Sequence, residues 1–317
     1  MPLWRANCLS LVAQVLACLV YSSSQVPTRP IEEGPYVTTG IATRSKSNTV
    51  SELHNDIANY TTLILPYNSG SQYAVEVALN NEPHLLQPDT GSSDTWIILP
   101  DFQCITANGT LANQSLCNMG QPYLGSFEAI PGKVFNQSYG NGYSISGAFG
   151  YANVTVAGIT IRTQVAFVDR AYYDGNGTVS GLIGLAPGTT RQFTTSSGVN
   201  VDGLQVEHYP AFIDLFYADP SVAPTFSVTM QPGPVAGYIS FGGLPPLSFE
   251  KDFTTVNYTF IEGLQSGVTG QIQYPVQSDG VVVNGKLYNT TFKVVVDTGT
   301  YVNRFPRELA EQINAQL

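Results

Sequence analysis

The amino-acid sequence predicts a mainly β protein of two lobes, on three observations. From Thr61 onward, short β-branched and aromatic runs alternate with Gly, Asn and Pro, the pattern of short, mainly antiparallel strands. The 317 residues exceed one average domain and suit two lobes with a core each. Finally, one tetrad occurs twice: Asp89-Thr90-Gly91-Ser92 returns 208 positions later as Asp297-Thr298-Gly299-Thr300. Average composition yields one such string in roughly one chain in a hundred of this length, so two copies are not expected by chance.

In chain order, residues 1–24 read as a secretory signal: Arg5, the apolar run Cys8 to Val20, then Ser22, Ser23 and Ser24. Residues 25–60 lack sustained periodicity, are rich in breakers and read as a pro-segment or linker. The body divides into a lobe over 61–232 and a partial lobe over 233–317, each carrying one tetrad. Both tetrads follow apolar runs, Val75 to Leu79 with Leu85-Leu86, and Val294-Val295-Val296, which places each aspartate at a strand end. Val154 to Ile161 and Thr225 to Met230 read as strands, and Asn284-Gly285 within "VVVNGKLY" as a hairpin turn. Helices are expected at Pro210 to Tyr217 and after Pro306, where Leu309, Ile313 and Leu317 share a face.

Charge and cysteine usage narrow the function. Only 11% of residues are charged and the net charge is −10, which argues against nucleic acid as a partner. Removal of the signal takes Cys8 and Cys18 and leaves Cys104 and Cys117, an even pair expected to form one disulfide in an oxidising compartment. Eight glycosylation sequons, at Asn59, Asn108, Asn113, Asn136, Asn153, Asn176, Asn257 and Asn289, agree with a secreted, cell-wall or vacuolar location.

Serine-elbow, zinc-binding and phosphate-loop motifs are missing from the sequence. His54, His84 and His208 lack metal-ligand spacing, so neither a metal nor a cofactor is called for. Gly140-Asn141-Gly142 lies between strand-like runs and reads as a hairpin turn. What remains is the pair of aspartates. Two carboxyls held together cannot both ionise cheaply, so one pKa rises and they share a proton. The ionised member can then deprotonate a water while the protonated one polarises a carbonyl. In each tetrad Gly permits close backbone approach, and the hydroxyl of Ser92 or Thr300 can bond the carboxylate edge.

The ordered motifs "DTGSSDTW", "FNQSYGNGYSISGAFG", "GLIGLA", "GYISFGG" and "VVVDTGT", with the Cys104 and Cys117 pair, resemble the pepsin family of aspartic endopeptidases in its secreted fungal form. The likeness covers residues 61 to 317. It implies a bilobal β fold with a central cleft and an incomplete second lobe. It further implies a catalytic dyad of Asp89 and Asp297 supported by Gly91, Ser92, Gly299 and Thr300. A flap over the cleft would comprise Tyr139, Gly140, Asn141 and Gly142, with Trp96 bonding Tyr139, and Leu182-Ile183-Gly184 would pack across the first active-site loop. Protein or peptide substrates and a monomeric complete enzyme follow from the same resemblance. A secreted pseudo-protease that binds peptides, and a glycoside hydrolase using the two carboxylates, are the alternatives.

The sequence departs from the family pattern in several places. Pro88 precedes the first aspartate and removes a backbone donor from a central strand. Ser180 replaces an acid, Tyr301 a serine, and "ALNNEP" an Ile-Gly-Thr-Pro stretch. The resemblance also implies about a hundred further residues, with a second apolar-apolar-Gly segment behind Asp297 and room there for an anchor signal. No membrane anchor is visible before residue 317.

Overall fold

Strands dominate from the start of the first tetrad-bearing lobe. The computed structural model of the protein describes residues 5–6, 15–20, 36–40, 60–67, 72–187, 194–195, 211–230, 236–245, 254–257, 273–283, 286–300 and 302–315. Gln72–Leu79 and Glu82–Asp89 form a hairpin closed by Asn80 and Asn81, whose φ of 48° and 70° match the left-handed turn that asparagine tolerates. "ALNNEP" is therefore a tight two-residue turn. Val75, Val77 and Leu79 are buried and Glu76 is exposed, the period of two of a half-buried strand.

The sheet of this lobe runs Glu128–Ser138, Ser144–Val156, Ile159–Tyr172, Thr95–Cys104, Gly181–Gly184, Glu82–Asp89, Gln72–Leu79. Ser144–Val156 also pairs with Gln72–Leu79, which wraps the sheet back on itself. Most pairs are antiparallel, as expected. Two are parallel, Ile159–Tyr172 on Thr95–Cys104 and Gly181–Gly184 on Glu82–Asp89. The run Val154 to Ile161 is not one strand. It folds back at Ala157 and Gly158, with φ of 52° and 84°, so Val156 pairs Ile159. The run is apolar on both sides of this turn, and that hid the glycine's role.

Two apolar clusters fill the lobe. One joins Val75, Leu86, Ile97, Phe167 and Ile183 with the helix Phe212–Ala218, whose Phe212, Ile213, Phe216 and Tyr217 are buried. Asp214 closes the start of that helix by accepting the N–H of Ala211 at 2.8 Å. The other surrounds Trp96, Phe135 and Phe149 and includes Cys104 and Cys117. Those cysteines are joined, with Cα atoms 5.8 Å apart. Between them the short helix Gln114–Cys117 is capped by Asn113, which accepts from Ser115 N–H, and ends at Asn118 with φ of 43°.

Thr225–Met230 and Gly237–Phe241 form a hairpin that pairs with Tyr60–Tyr67 on one side and with Val15–Val20 on the other. Residue 232, where the lobe division is expected, lies outside the described residues. Beyond it, Pro275–Ser278 pairs with Phe292–Val295 and leads into the second tetrad. Val281–Val283 pairs with Lys286–Tyr288 through a two-residue connection, as the Asn284-Gly285 signal predicts, though those two positions lie outside the described residues. The last helix is Arg307–Asn314, entered at Pro306, with Leu309 and Ile313 buried against Val283 and Tyr288. Leu317 and Pro210 lie outside the described residues.

Among the described residues no helix is long and apolar enough to cross a membrane. Asn108, Asn113, Asn136, Asn153 and Asn289 are exposed and Asn176 is half-buried. Asn59, the side chain of Asn257, His54 and His208 lie outside the described residues. His84 is buried beside Glu82, 3.2 Å from its carboxylate, and desolvation holds its imidazole below the ordinary pKa.

Candidate active site

The two tetrads meet face to face. Each aspartate is held by its own tetrad: Gly91 N–H donates to Asp89 Oδ1 at 2.7 Å and Ser92 Oγ donates to Oδ2. In the second, Gly299 N–H donates to Asp297 Oδ1 at 2.8 Å and Thr300 Oγ1 to Oδ2 at 2.7 Å. The glycines then let each carboxyl press on the opposite loop. A Cβ on Gly91 would lie 2.6 Å from Asp297 Cγ, and one on Gly299 would lie 2.5 Å from Asp89 Cγ. No L side chain fits there, which is the physical reason for glycine in both tetrads.

The threonines lock the loops together. Thr90 N–H donates to Thr298 Oγ1 at 3.1 Å and Thr298 N–H to Thr90 Oγ1 at 3.0 Å. Each hydroxyl passes its own proton across: Thr90 to Val296 O at 2.6 Å, Thr298 to Pro88 O at 2.8 Å. Two glutamines complete the frame, Gln87 Nε2 donating to Gly299 O and Gln273 Nε2 to Gly91 O, both at 2.7 Å. The Asp297 loop is thus held by Thr90 and Gln87 of the first lobe.

Pro88 does not cost the central strand a ladder bond. Ser180 N–H donates to Leu85 O and Leu185 N–H to Asp89 O, so odd positions of this strand face Gly181–Gly184. Pro88 faces the other way, where pairing with Gln72–Leu79 has already ended at Leu86. Its carbonyl is the one that receives Thr298. Leu182-Ile183-Gly184 lies alongside Asp89 as the resemblance implies, with Gly184 opposite Asp89 and Ala186 N–H bonding Ser92 O at 3.0 Å. Ser180 is buried within that strand pairing, its carbonyl accepting from Ile98 N–H. Tyr301 lies outside the described residues.

Above the dyad, Glu128–Ser138 and Ser144–Val156 are joined by the turn at Gly140-Asn141-Gly142, closed by Gly142 N–H to Tyr139 O at 2.9 Å. Gly142 takes a φ of 91°. Trp96 Nε1 donates to the Tyr139 hydroxyl at 2.7 Å. Tyr173, which the sequence reading passed over, stands edge-on to Trp96 at 5.6 Å and meets Tyr143 at 4.9 Å. Burial first, and the nearby charge of Asp89 among the further causes, hold the hydroxyls of Tyr139 and Tyr173 well above the ordinary tyrosine pKa. Both remain neutral donors beside a carboxylate. The doublet Tyr172-Tyr173, shortly before "GLIGLA", was the available signal.

The Asp89 carboxyl is pushed up to about 7, by burial first, then by the charge of Asp297; the Ser92 and Gly91 bonds pull it back only in part. A buried carboxyl that keeps its proton beside a second carboxyl can serve as acid and base together.

Comparison with known proteins agrees with this geometry. Residues 72–317 match the eukaryotic aspartyl protease family. The chain belongs to that family. It is 28% identical over 303 residues to a "Probable aspartic-type endopeptidase" of Aspergillus fumigatus, a match covering 91% of this chain and 67% of that protein. It is 28% identical to cathepsin E-B of Xenopus laevis, over 72% of this chain and 52% of the relative, and 26% identical to rhizopuspepsin-4 of Rhizopus niveus, over 71% and 50%. The chain therefore spans between half and two thirds of the length of these relatives. Among the described residues no group of His, Cys, Asp or Glu could hold a metal ion.

Proposed function

We propose that this protein is a secreted endopeptidase that hydrolyses peptide bonds in acid through a water activated by Asp89 and Asp297. The observation that carries the reading is the reciprocal contact of the tetrads, in which each glycine admits the carboxyl of the other. In the cycle, the ionised carboxyl takes a proton from water as the water oxygen bonds the peptide carbonyl carbon. The protonated carboxyl gives its proton to the carbonyl oxygen. As the resulting tetrahedral diol collapses, the carboxyl that gave up its proton takes one from a diol hydroxyl, the other carboxyl gives its proton to the amine nitrogen, and the C–N bond breaks. The dyad ends with one proton, as it began, and no covalent intermediate forms. Tyr139, held by Trp96, would position the peptide from above, with Gly140, Asn141 and Gly142 forming the flap turn.

We extend the proposal to the chain's organisation: a signal over 1–24, whose strand Val15–Val20 would leave its pairing with Thr225–Met230 on cleavage, a pro-segment over 25–60, and lobes divided near 232. The reading is tested with the full-length protein by following cleavage of an internally quenched peptide at pH 3 to 5, before and after Asp89→Asn. Loss of cleavage with a retained fold is expected. Peptide binding without cleavage by the unmodified protein would favour the pseudo-protease, and turnover of polysaccharide instead of peptide would favour the glycosidase.

A further inference from the structure

Arg304 stands beside the flap turn. It follows Asp297 by seven positions and precedes Pro306 and the helix Arg307–Asn314. Its backbone is held on the helix side, where Phe305 meets Phe292 edge-on at 6.2 Å and Leu309 and Ile313 are buried. The side chain reaches to the flap: Arg304 Nη1 lies 3.0 Å from where a Cβ on Gly140 would stand. Glycine at the flap turn leaves room for the guanidinium, and a side chain at 140 would have to push it aside.

Arg304 is exposed and makes no ion pair among the described residues. The chain carries 13 Lys and Arg against 23 Asp and Glu, so a guanidinium beside the flap turn is not a product of general basicity. The planar fork of arginine matches a carboxylate with two parallel hydrogen bonds, and a peptide lying between flap and dyad would exclude water from that pair.

We propose that Arg304 is a specificity residue that selects an acidic side chain near the scissile bond of the substrate. The inference rests on the endopeptidase reading for the identity of its ligand, a peptide. A charge-assisted hydrogen bond of this kind corresponds to about tenfold in kcat/KM.

The test uses the full-length protein and one cleavable peptide in which each residue flanking the scissile bond is replaced in turn by Gln, Glu, Lys or cysteic acid. The sulfonate of cysteic acid stays charged throughout the acid range, which separates charge from protonation. At one position Glu at pH 5 and cysteic acid should exceed Gln by about tenfold. Arg304→Gln should bring that ratio to about one, Arg304→Lys should leave it intermediate, and Arg304→Glu should favour Lys at the same position. A parallel arm measures binding of the same peptides to the Asp89→Asn protein by fluorescence anisotropy. Acid-selective binding without cleavage by the unmodified protein would uphold Arg304 and overturn the endopeptidase. Equal affinity for acid and amide, or a ratio untouched by Arg304→Gln, would overturn the role of Arg304.

Discussion

Thr90 and Thr298 each give a backbone N–H to the other's hydroxyl, at 3.1 and 3.0 Å, and so tie together two loops 208 residues apart in sequence. Each hydroxyl is donor and acceptor at once, and neither can be replaced by a group that does only half. Thr298→Val keeps the shape but leaves Thr90 N–H and Pro88 O without their partner. A buried orphaned group costs about 1–3 kcal/mol, so the variant should unfold at lower denaturant and lose activity, while Thr298→Ser should retain most of both. Urea midpoints and kcat, measured side by side, decide it. A valine variant as stable and active as the serine one would deny the interlock any importance.

Gly91→Ala and Gly299→Ala test whether the carboxyls need to touch. The added methyl of Gly91→Ala would sit 2.6 Å from Asp297 Cγ and must drive the pair apart. A misplacement of about 1 Å costs on the order of a hundredfold in rate. Separation also weakens the push of Asp297 on Asp89, so whatever activity survives should lose its alkaline limb at lower pH than the unmodified protein. A rate within threefold of normal and an unmoved limb would contradict the contact.

Much of this arrangement was legible from residues alone, because the tetrad carries its own chemistry: an aspartate, a glycine that lets the backbone come close, and a hydroxyl to hold the carboxylate edge; that each glycine also admits the opposing carboxyl was not. Cys104 and Cys117 were legible by elimination, and the Leu309 and Ile313 face by period. Gln87, Gln273, Tyr173 and Arg304 were not. Each acts through a partner far away in the chain, and nothing local marks a glutamine as the donor to a distant glycine carbonyl. Pro88 looked like a fault because strand reading counts lost donors without knowing which side of the strand they face. The turn at Ala157-Gly158 was hidden for the opposite reason, apolar residues on both arms giving no change of pattern at the bend.

Asn176 separates the sequons from one another. Its Oδ1 accepts the N–H groups of Thr178 and Val179 at 2.9 and 3.1 Å, and its Nδ2 donates to Gln72 at 2.6 Å. A sugar on Nδ2 would break the bond to Gln72 in a half-buried site. We expect material secreted by a eukaryotic host to carry glycan at Asn108, Asn153 or Asn289 far more often than at Asn176. Site occupancy by mass spectrometry of glycopeptides checks this, and full occupancy at Asn176 would show that the loop folds differently.

The pH dependence of stability gives a test of the dyad that needs no substrate. Asp89 has a carboxyl raised from 3.8 to about 7 in the folded protein, by burial and by Asp297. Between those values the folded chain keeps a proton that the unfolded chain releases. Stability from this group is therefore fully present below about pH 4 and is lost as pH rises through 7. Asp89→Asn has no such proton, so its stability should fall less steeply over that window, while groups common to both proteins cancel in the comparison. Denaturant midpoints at half-unit steps from pH 4 to 8 provide the two slopes. Activity of the unmodified protein should fall over the same range, with an apparent pKa near 7, because the dyad then holds no proton to give the carbonyl oxygen. Parallel stability curves for the two proteins would mean that Asp89 ionises as an ordinary carboxyl. The shared-proton mechanism would then have to be abandoned even if cleavage were observed.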